Sequence, residues 1–303
     1  MCGRINCVRS VSTAIEASRA TRVMEVHDDI DALATPRNAT PRNASPGCRI
    51  PVARLVDAKK KAQRREDDAG TSSASASTEI VVQEMTWGIT RDRGKFTSYT
   101  MDPEFTLETR RKIGMHERAF NARGEGLTST PMFARLVEDD VDGRRRRCVA
   151  YFDGFYEWKP EGPKGGIKQP YYVCRRDGEP LAAAAVFRED DYGEVGRTFE
   201  TSIVTVASAG GELAWLHDRM PALLLSPTDV DDWLVDGDWK RVLGRPADAT
   251  RGFLQWRPVS VNVNKASYAG DDAPRGVKRE AQKNAGNIAA LFAAASAKKR
   301  KQN

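Results

Sequence analysis

Apolar and polar positions alternate with a period of two over much of this chain, the signature of strands with one or both faces buried. Runs at 50–56, 79–85, 148–152, 171–174, 181–187, 199–207 and 253–263 read as strands, most of them bounded by Gly, Pro, Asn or Asp. Helical spacing is rarer. A loose helical pattern covers 5–30 after a first short strand, and shorter ones fall at 107–115, at 131–137 and from about 209. Ser226-Pro227-Thr228-Asp229 carries a capping pattern that opens a further helix. Many strands with few helices predict an α+β fold with a mainly antiparallel, curved or barrel-like sheet.

Two stretches break the pattern. In 59–78 a charged run (Lys59-Lys60-Lys61, then Arg64-Arg65-Glu66-Asp67-Asp68) passes into a Gly, Ser, Thr and Ala tract. Such a composition buries too little apolar surface to offset the entropy of ordering, so a disordered insertion within a hairpin is expected. Beyond Asn264 a Gly/Asp/Pro linker leads to an Ala-rich segment with a basic end. The expected organisation is therefore one domain over 2–265 and a flexible basic tail over 266–303.

Composition narrows the class. The 303 residues are 40% hydrophobic, enough for a sizeable core, and no apolar run approaches the ~20 residues of a membrane span. No secretory leader is read at the N-terminus, since charged residues interrupt 15–33. A net charge of +6 permits a nucleic-acid partner without requiring one. Five cysteines form no CxxC pair and their number is odd, which suggests a reducing compartment. His27, His116 and His217 lack ligand spacing, so neither a metal nor a cofactor is expected.

The chemistry begins at Met1-Cys2-Gly3-Arg4. A small second residue favours removal of the initiator Met, which would make Cys2 the mature N-terminus. Its amine and thiol, titrating near ~8 and ~8.5 in unperturbed settings, then form a 1,2-aminothiol. Such a pair can attack an aldehyde twice, the amine giving an imine and the thiol closing a thiazolidine. Alternatively the amine can act as base for the thiol, as in hydrolases with an N-terminal nucleophile. Other reactive residue types recur downstream: Asn121, Arg123, Glu157 and His217. Singly, each has a plain structural reading: a turn residue, a surface charge, an outward strand side chain, a helix-end histidine.

Taken together the motifs resemble the SOS response-associated peptidase family, the abasic-site processing proteins. The resemblance rests on Met1-Cys2-Gly3-Arg4, Arg42-Asn43-Ala44-Ser45-Pro46, Trp87-Gly88-Ile89, Asn121-Ala122-Arg123-Gly124-Glu125, Arg147-Cys148, Asp153-Gly154-Phe155-Tyr156-Glu157-Trp158 and His217-Asp218-Arg219-Met220-Pro221, in family order. Gly47-Cys48, and Thr90-Arg91 after Ile89, depart from the family pattern.

The resemblance implies a monomeric protein that captures abasic sites in single-stranded DNA by a covalent thiazolidine through Cys2. It further implies Glu157 as proton shuttle, His217 as helper in imine chemistry and reversal, and Asn121 as positioner of the sugar or the Cys2 amine. Arg123, Arg4 and Arg219 become phosphate contacts, Asn43 a loop contact to DNA, and Trp87, with Pro46 second, a stacking surface for bases. Rival readings are an amidotransferase or peptidase with an N-terminal Cys, and a non-covalent DNA-binding module indifferent to Cys2. In the tail, Ile288, Leu291 and Phe292 have an apolar spacing like peptides that dock on DNA sliding clamps, although Ala285 stands where a Gln is usual. Lys298-Lys299-Arg300-Lys301 reads as a nuclear-import signal in a eukaryotic cell; otherwise a cytoplasmic location is expected.

Overall fold

The computed structural model describes residues 3–7, 14, 16, 22–23, 41–57, 78–91, 118–138, 146–161, 166–191, 197–234 and 238–277. Cys2, the insertion expected at 59–78 except Thr78, which opens a strand, the helix expected at 107–115 and the tail residues Ile288, Leu291, Phe292 and 298–301 lie outside them.

Two sheets organise these residues. The first is built on β3 (Arg49–Asp57), β4 (Thr78–Trp87), β8 (Arg147–Phe152), β11 (Leu181–Asp191) and β12 (Arg197–Ala207). Antiparallel pairing runs β12-β11-β8-β3-β4, and a parallel pairing of Glu200 and Thr201 with Thr86 and Trp87 closes the circuit. This is the expected barrel, closed by one parallel seam. β3 and β4 pair from Arg49↔Thr86 to Asp57↔Thr78, so the 59–77 segment does interrupt a hairpin.

Past the seam, β12 takes new neighbours on both edges. β7 (Asn121–Arg123) continues in parallel where β4 leaves, and β13 (Arg219–Pro221) pairs where β11 diverges. These two short strands carry the Asn-Ala-Arg and Asp-Arg-Met-Pro motifs to opposite edges of one strand. Gly88 makes the departure of β4 possible: its φ of 118° belongs to the left-handed side, where a side chain would be strained. The chain then enters β5 (Ile89–Thr90), which pairs with β6 (Arg118–Ala119).

The second sheet is four-stranded and antiparallel: β1 (Arg4–Asn6), β9 (Gly154–Glu161), β10 (Ile167–Arg175) and β14 (Leu254–Pro258), in that order. One face, with Ile5, Phe155, Tyr171, Val173 and Leu254, packs on Ile50, Met85, Trp87, Phe152 and Phe187 of the barrel. The opposite face of the barrel strands, with Val149, Tyr151, Ala184 and Val186, is covered by α1 (Pro131–Val137) and α2 (Pro227–Leu234) through Phe133, Leu136, Val230 and Trp233. Strands buried on both faces explain why β8 reads as a continuous apolar run rather than an alternating one. Arg147, itself buried, donates to Val137 O and Trp233 O, satisfying carbonyls at the ends of both helices.

The capping pattern at 226–229 behaves as expected. Ser226 Oγ accepts from Asp229 N–H at 3.2 Å while Asp229 Oδ2 accepts from Ser226 N–H at 3.0 Å. Three expectations need correction. Helical patterning through residue 30 gives way to strand at β2 (Arg22–Val23), paired in parallel with β4. The segment after Ala209 is a series of turns, because Gly210 takes a φ of 81° and a Cβ on Gly211 would collide with Ala247 O at 2.6 Å. The Gly and Pro content of 160–170 predicts a loop over that whole stretch, but Pro160 and Pro170 lie within β9 and β10, where Pro170 O accepts from Val259 N–H.

Candidate active site

β9 decides the geometry, because its alternate residues do different work. Glu157 points with Phe155 toward the barrel side, whereas Tyr156 and Trp158 point to the back. On the back, the Tyr156 hydroxyl donates to Arg42 O at 2.6 Å and the Trp158 indole N–H donates to Asn264 Oδ1 at 2.5 Å. Gly154 is required here: a Cβ would lie 2.5 Å from both the Tyr172 ring and Val173 O.

The N-terminal strand is held from two sides. On one, Arg4 pairs with Tyr156, Ile5 with Phe155 and Asn6 with Gly154. On the other, Ile5 and Ala44 exchange backbone hydrogen bonds of 2.9 and 2.8 Å. The β1–β9 register, continued one residue past Arg4, sets Gly3 opposite Glu157. Arg4 reinforces the seating: its guanidinium donates to Asn43 Oδ1 (3.0 Å) and Val263 O (3.1 Å) and lies 6.0 Å over the Trp158 ring. Burial pulls its pKa below the ordinary arginine value, with the nearby Cys48 opposing.

Glu157 is 5% exposed. Its Oε1 accepts from Trp158 N–H at 3.2 Å and faces His217 Nε2 across 3.9 Å. His217 ends the turn segment after β12 and is partly exposed. Two contacts at its Nδ1 ask for opposite protonation: Arg219 N–H donates to it at 3.0 Å, and Asp218 Oδ1 stands 2.6 Å away. The backbone donor is fixed by the chain, whereas the Asp218 side chain is exposed and can turn to water. We therefore assign the neutral ring its proton on Nε2, toward Glu157. A second proton on Nδ1 then finds Asp218. A buried carboxylate and an imidazole so placed can pass protons between a bound reactant and solvent.

The other expected site residues divide. Arg123 is exposed and Asn121 is partly exposed; both lie on β7, with Arg123 opposite Thr205. Arg219 is engaged within the fold. It forks onto Glu125 (3.1 and 2.8 Å) and donates to Thr205 O at 2.6 Å, joining β13, β12 and the turn after β7. Asn43 is 0% exposed and its amide donates to Val263 O, Lys265 O and Tyr268 O. Pro46 is buried as well. Trp87 is 0% exposed, with its indole N–H on Phe120 O at 2.9 Å. As placed, Asn43, Pro46 and Trp87 anchor the loops around β1 and present no stacking face. Sequence reasoning passed over Thr205, whose Oγ1 accepts from Arg219, and Trp215, an exposed aromatic two residues before His217.

The fold and site thus define an α+β protein with a buried carboxylate–imidazole pair set beside its N-terminal strand. The chain belongs to the SOS response associated peptidase (SRAP) family, whose pattern matches residues 1–266. It is 31% identical over 201 residues to the abasic site processing protein YMR114C of Saccharomyces cerevisiae, covering 63% of this chain and 46% of that protein. With YedK of Escherichia coli, also an abasic site processing protein, it shares 31% over 153 residues, covering 50% and 64%. With HMCES of Xenopus tropicalis it shares 24% over 207 residues, covering 63% and 56%. The chain thus spans about half to two thirds of the length of these relatives. Among solved structures, a Bacteroides thetaiotaomicron protein superposes with a TM-score of 0.58 at 16% identity over 91% of this chain and 100% of its own. One from Bordetella bronchiseptica gives 0.55 at 16%, over 86% and 100%. These two likenesses are of fold alone.

Proposed function

We propose that this protein captures abasic sites in single-stranded DNA through a covalent bond to Cys2. The observation that carries the reading is the approach of Glu157 and His217, sixty residues apart in sequence, at the β9 position where the register delivers the N-terminus. The names of the three relatives point to the same substrate.

The chemistry follows from the groups. Removal of Met1 frees the Cys2 amine, since a peptide nitrogen cannot become an imine. That amine adds to the ring-opened deoxyribose aldehyde, and loss of water gives the imine. Glu157 supplies the proton on which the hydroxyl departs. The Cys2 thiol then adds across the carbon–nitrogen double bond, its proton passing to nitrogen, and closes the five-membered thiazolidine. His217, cycling between Nε2-protonated and doubly protonated forms, exchanges protons with solvent in both directions, so it serves formation and reversal alike. Asn121 and Arg123 on β7 orient the sugar and an adjoining phosphate.

Intact mass spectrometry after incubation with an abasic single strand tests this. The expected product is the sum of the Met1-free protein and the DNA less one water, and it should vanish in Cys2→Ala while salt-sensitive binding persists. An undiminished adduct in Cys2→Ala overturns the reading.

A further inference from the structure

Among the described residues, Trp215 is one of two large apolar side chains that stay exposed, at 37%. It does not stand alone. Its ring meets Tyr171 edge-on at 4.9 Å and Trp256 at 6.0 Å, and the Lys159 ammonium lies 4.6 Å from its centroid. The cluster adjoins the reactive pair. Tyr171 is the cross-strand partner of Glu157, Lys159 is two residues further along the same face of β9, and His217 follows Trp215 by two.

The segment bearing Trp215 is also held. Glu212 accepts from the N–H groups of Gly252 (3.2 Å) and Leu254 (3.3 Å), Leu213 and Leu216 are buried on either side, and the Ser208 hydroxyl bonds to His217 O. The Tyr171 hydroxyl donates to Glu161 at 3.0 Å, fixing the ring that supports the indole. An exposed indole fixed by its neighbours, with a cation at its face, is the combination by which proteins grip single strands: a π-face for a base and a charge for the adjoining phosphate. Trp87, the aromatic that the sequence favours for this role, is buried.

We propose that Trp215 is the stacking platform for the nucleobase next to the abasic nucleotide, with Lys159 serving that base's phosphate. This rests on the reading of the site as one for abasic single strands. Stacking here costs the protein little ordering, because the ring is already supported. The contact is indifferent to base identity, since every base offers a π-face, and it grips the strand while the aldehyde end of the sugar is presented to the reactive pair.

The test uses the full chain and undamaged single strands of two kinds, one with ordinary bases and one whose central nucleotides are tetrahydrofuran spacers that keep phosphates but lack bases. Trp215→Leu should weaken binding to the first about tenfold and leave the second unchanged, while Trp215→Phe keeps most of the affinity. A 2-aminopurine placed beside an abasic site should be quenched on binding to the native protein and to Trp215→Phe, and much less to Trp215→Leu. Equal binding of native and Trp215→Leu proteins to the base-bearing strand overturns the proposal, as does an equal loss on both strands. If the native protein forms no adduct with abasic DNA, the covalent reading fails, while the comparison of the two undamaged strands still decides the role of Trp215.

Discussion

Among the described residues two glutamates lie buried, and they are surrounded by opposite logics. Glu200, in the middle of β12 and 0% exposed, accepts from Arg118 at 2.8 Å, Arg188 at 3.0 Å, the Thr90 hydroxyl at 2.7 Å and Thr90 N–H at 3.0 Å. Its neighbours are guanidiniums, which keep their charge at any pH a protein survives. Glu157, midway along β9 in the other sheet, faces not a guanidinium but the His217 imidazole, across 3.9 Å. The first arrangement freezes a charge to lock the parallel seam that closes the barrel. The second leaves a proton exchangeable. Burial alone therefore does not mark a functional carboxylate; the character of its partner does.

Substitution at the two sites should separate stability from chemistry. Glu200→Ala leaves Arg118 facing a low-dielectric interior without its counter-charge and Arg188 with Asp190 alone, and removal of one partner of such a cluster typically costs about 3–5 kcal/mol. Denaturant unfolding should show a midpoint shift of that size. An unfolding curve like the native one would mean that the seam does not depend on this cluster. Glu157→Gln keeps the shape and the capacity to accept from Trp158 N–H but removes the exchangeable proton. Its unfolding midpoint should move by less than about 1 kcal/mol while the rate of adduct formation falls by a factor of about 10²–10⁴. Should Glu157→Gln unfold the protein and Glu200→Gln silence it at native stability, the contrast would be reversed.

A third buried carboxylate sharpens the rule. Asp229 accepts from Leu225 and Ser226 N–H and from the Arg241 and Arg245 guanidiniums. Burial by itself would raise its pKa; the bonds from Arg245, Leu225 N–H and Arg241 outweigh that and hold it below the ordinary aspartate value. A carboxyl depressed in the fold stabilises it above the unfolded value near ~3.9, and that contribution fades as pH falls toward the folded value. The native protein should therefore be more stable than Asp229→Asn at pH 7, by about 1–2 kcal/mol for a capping carboxylate with charged partners. The gap should narrow below pH ~4. A gap that stays constant down to pH ~2.5 would show that shape, not charge, matters at this cap.

The three carboxylates were not equally legible beforehand. The Ser226–Asp229 cap is local, four residues whose spacing dictates mutual bonds, and it was read directly. Glu157 and His217 are both visible through their motifs, but the path that joins them is not, because the turn that brings His217 back passes through Gly210 and Gly211, whose conformations no hydrophobic period encodes. Glu200 was invisible. Nothing near it in sequence foretells Arg118, eighty-two residues away and on a two-residue strand. The barrel was legible from the strands, but its closure by one parallel seam depends on Gly88 turning β4 away after two pairs. Arg4 and Asn43 show the converse. Their motif positions were plain, yet polar side chains beside a terminal strand are drawn into anchoring it, since its carbonyl neighbours at 263–268 need donors.

The smallest effect expected concerns Arg219, which lies between these two kinds of site. Like the arginines on Glu200 it pairs with a carboxylate, here as a fork, but Glu125 is exposed at the surface, and such pairs contribute only ~0.2–1 kcal/mol. The Arg219 bond holds the Glu125 carboxyl below its ordinary pKa, so the pair is formed at neutral pH. A phosphate arriving at β7 and β13 can displace this partner without unmaking the fold, because the bond from Arg219 to Thr205 O persists. Glu125→Gln should therefore unfold within about 1 kcal/mol of the native protein. It should bind single-stranded DNA two- to threefold more tightly at low salt, roughly the gain of removing one competing charge. The test is a salt titration of both proteins against one undamaged strand. Converging affinities at high salt would mark Arg219 as a phosphate contact held in check by Glu125, and identical affinities at every salt concentration would leave it a structural pin.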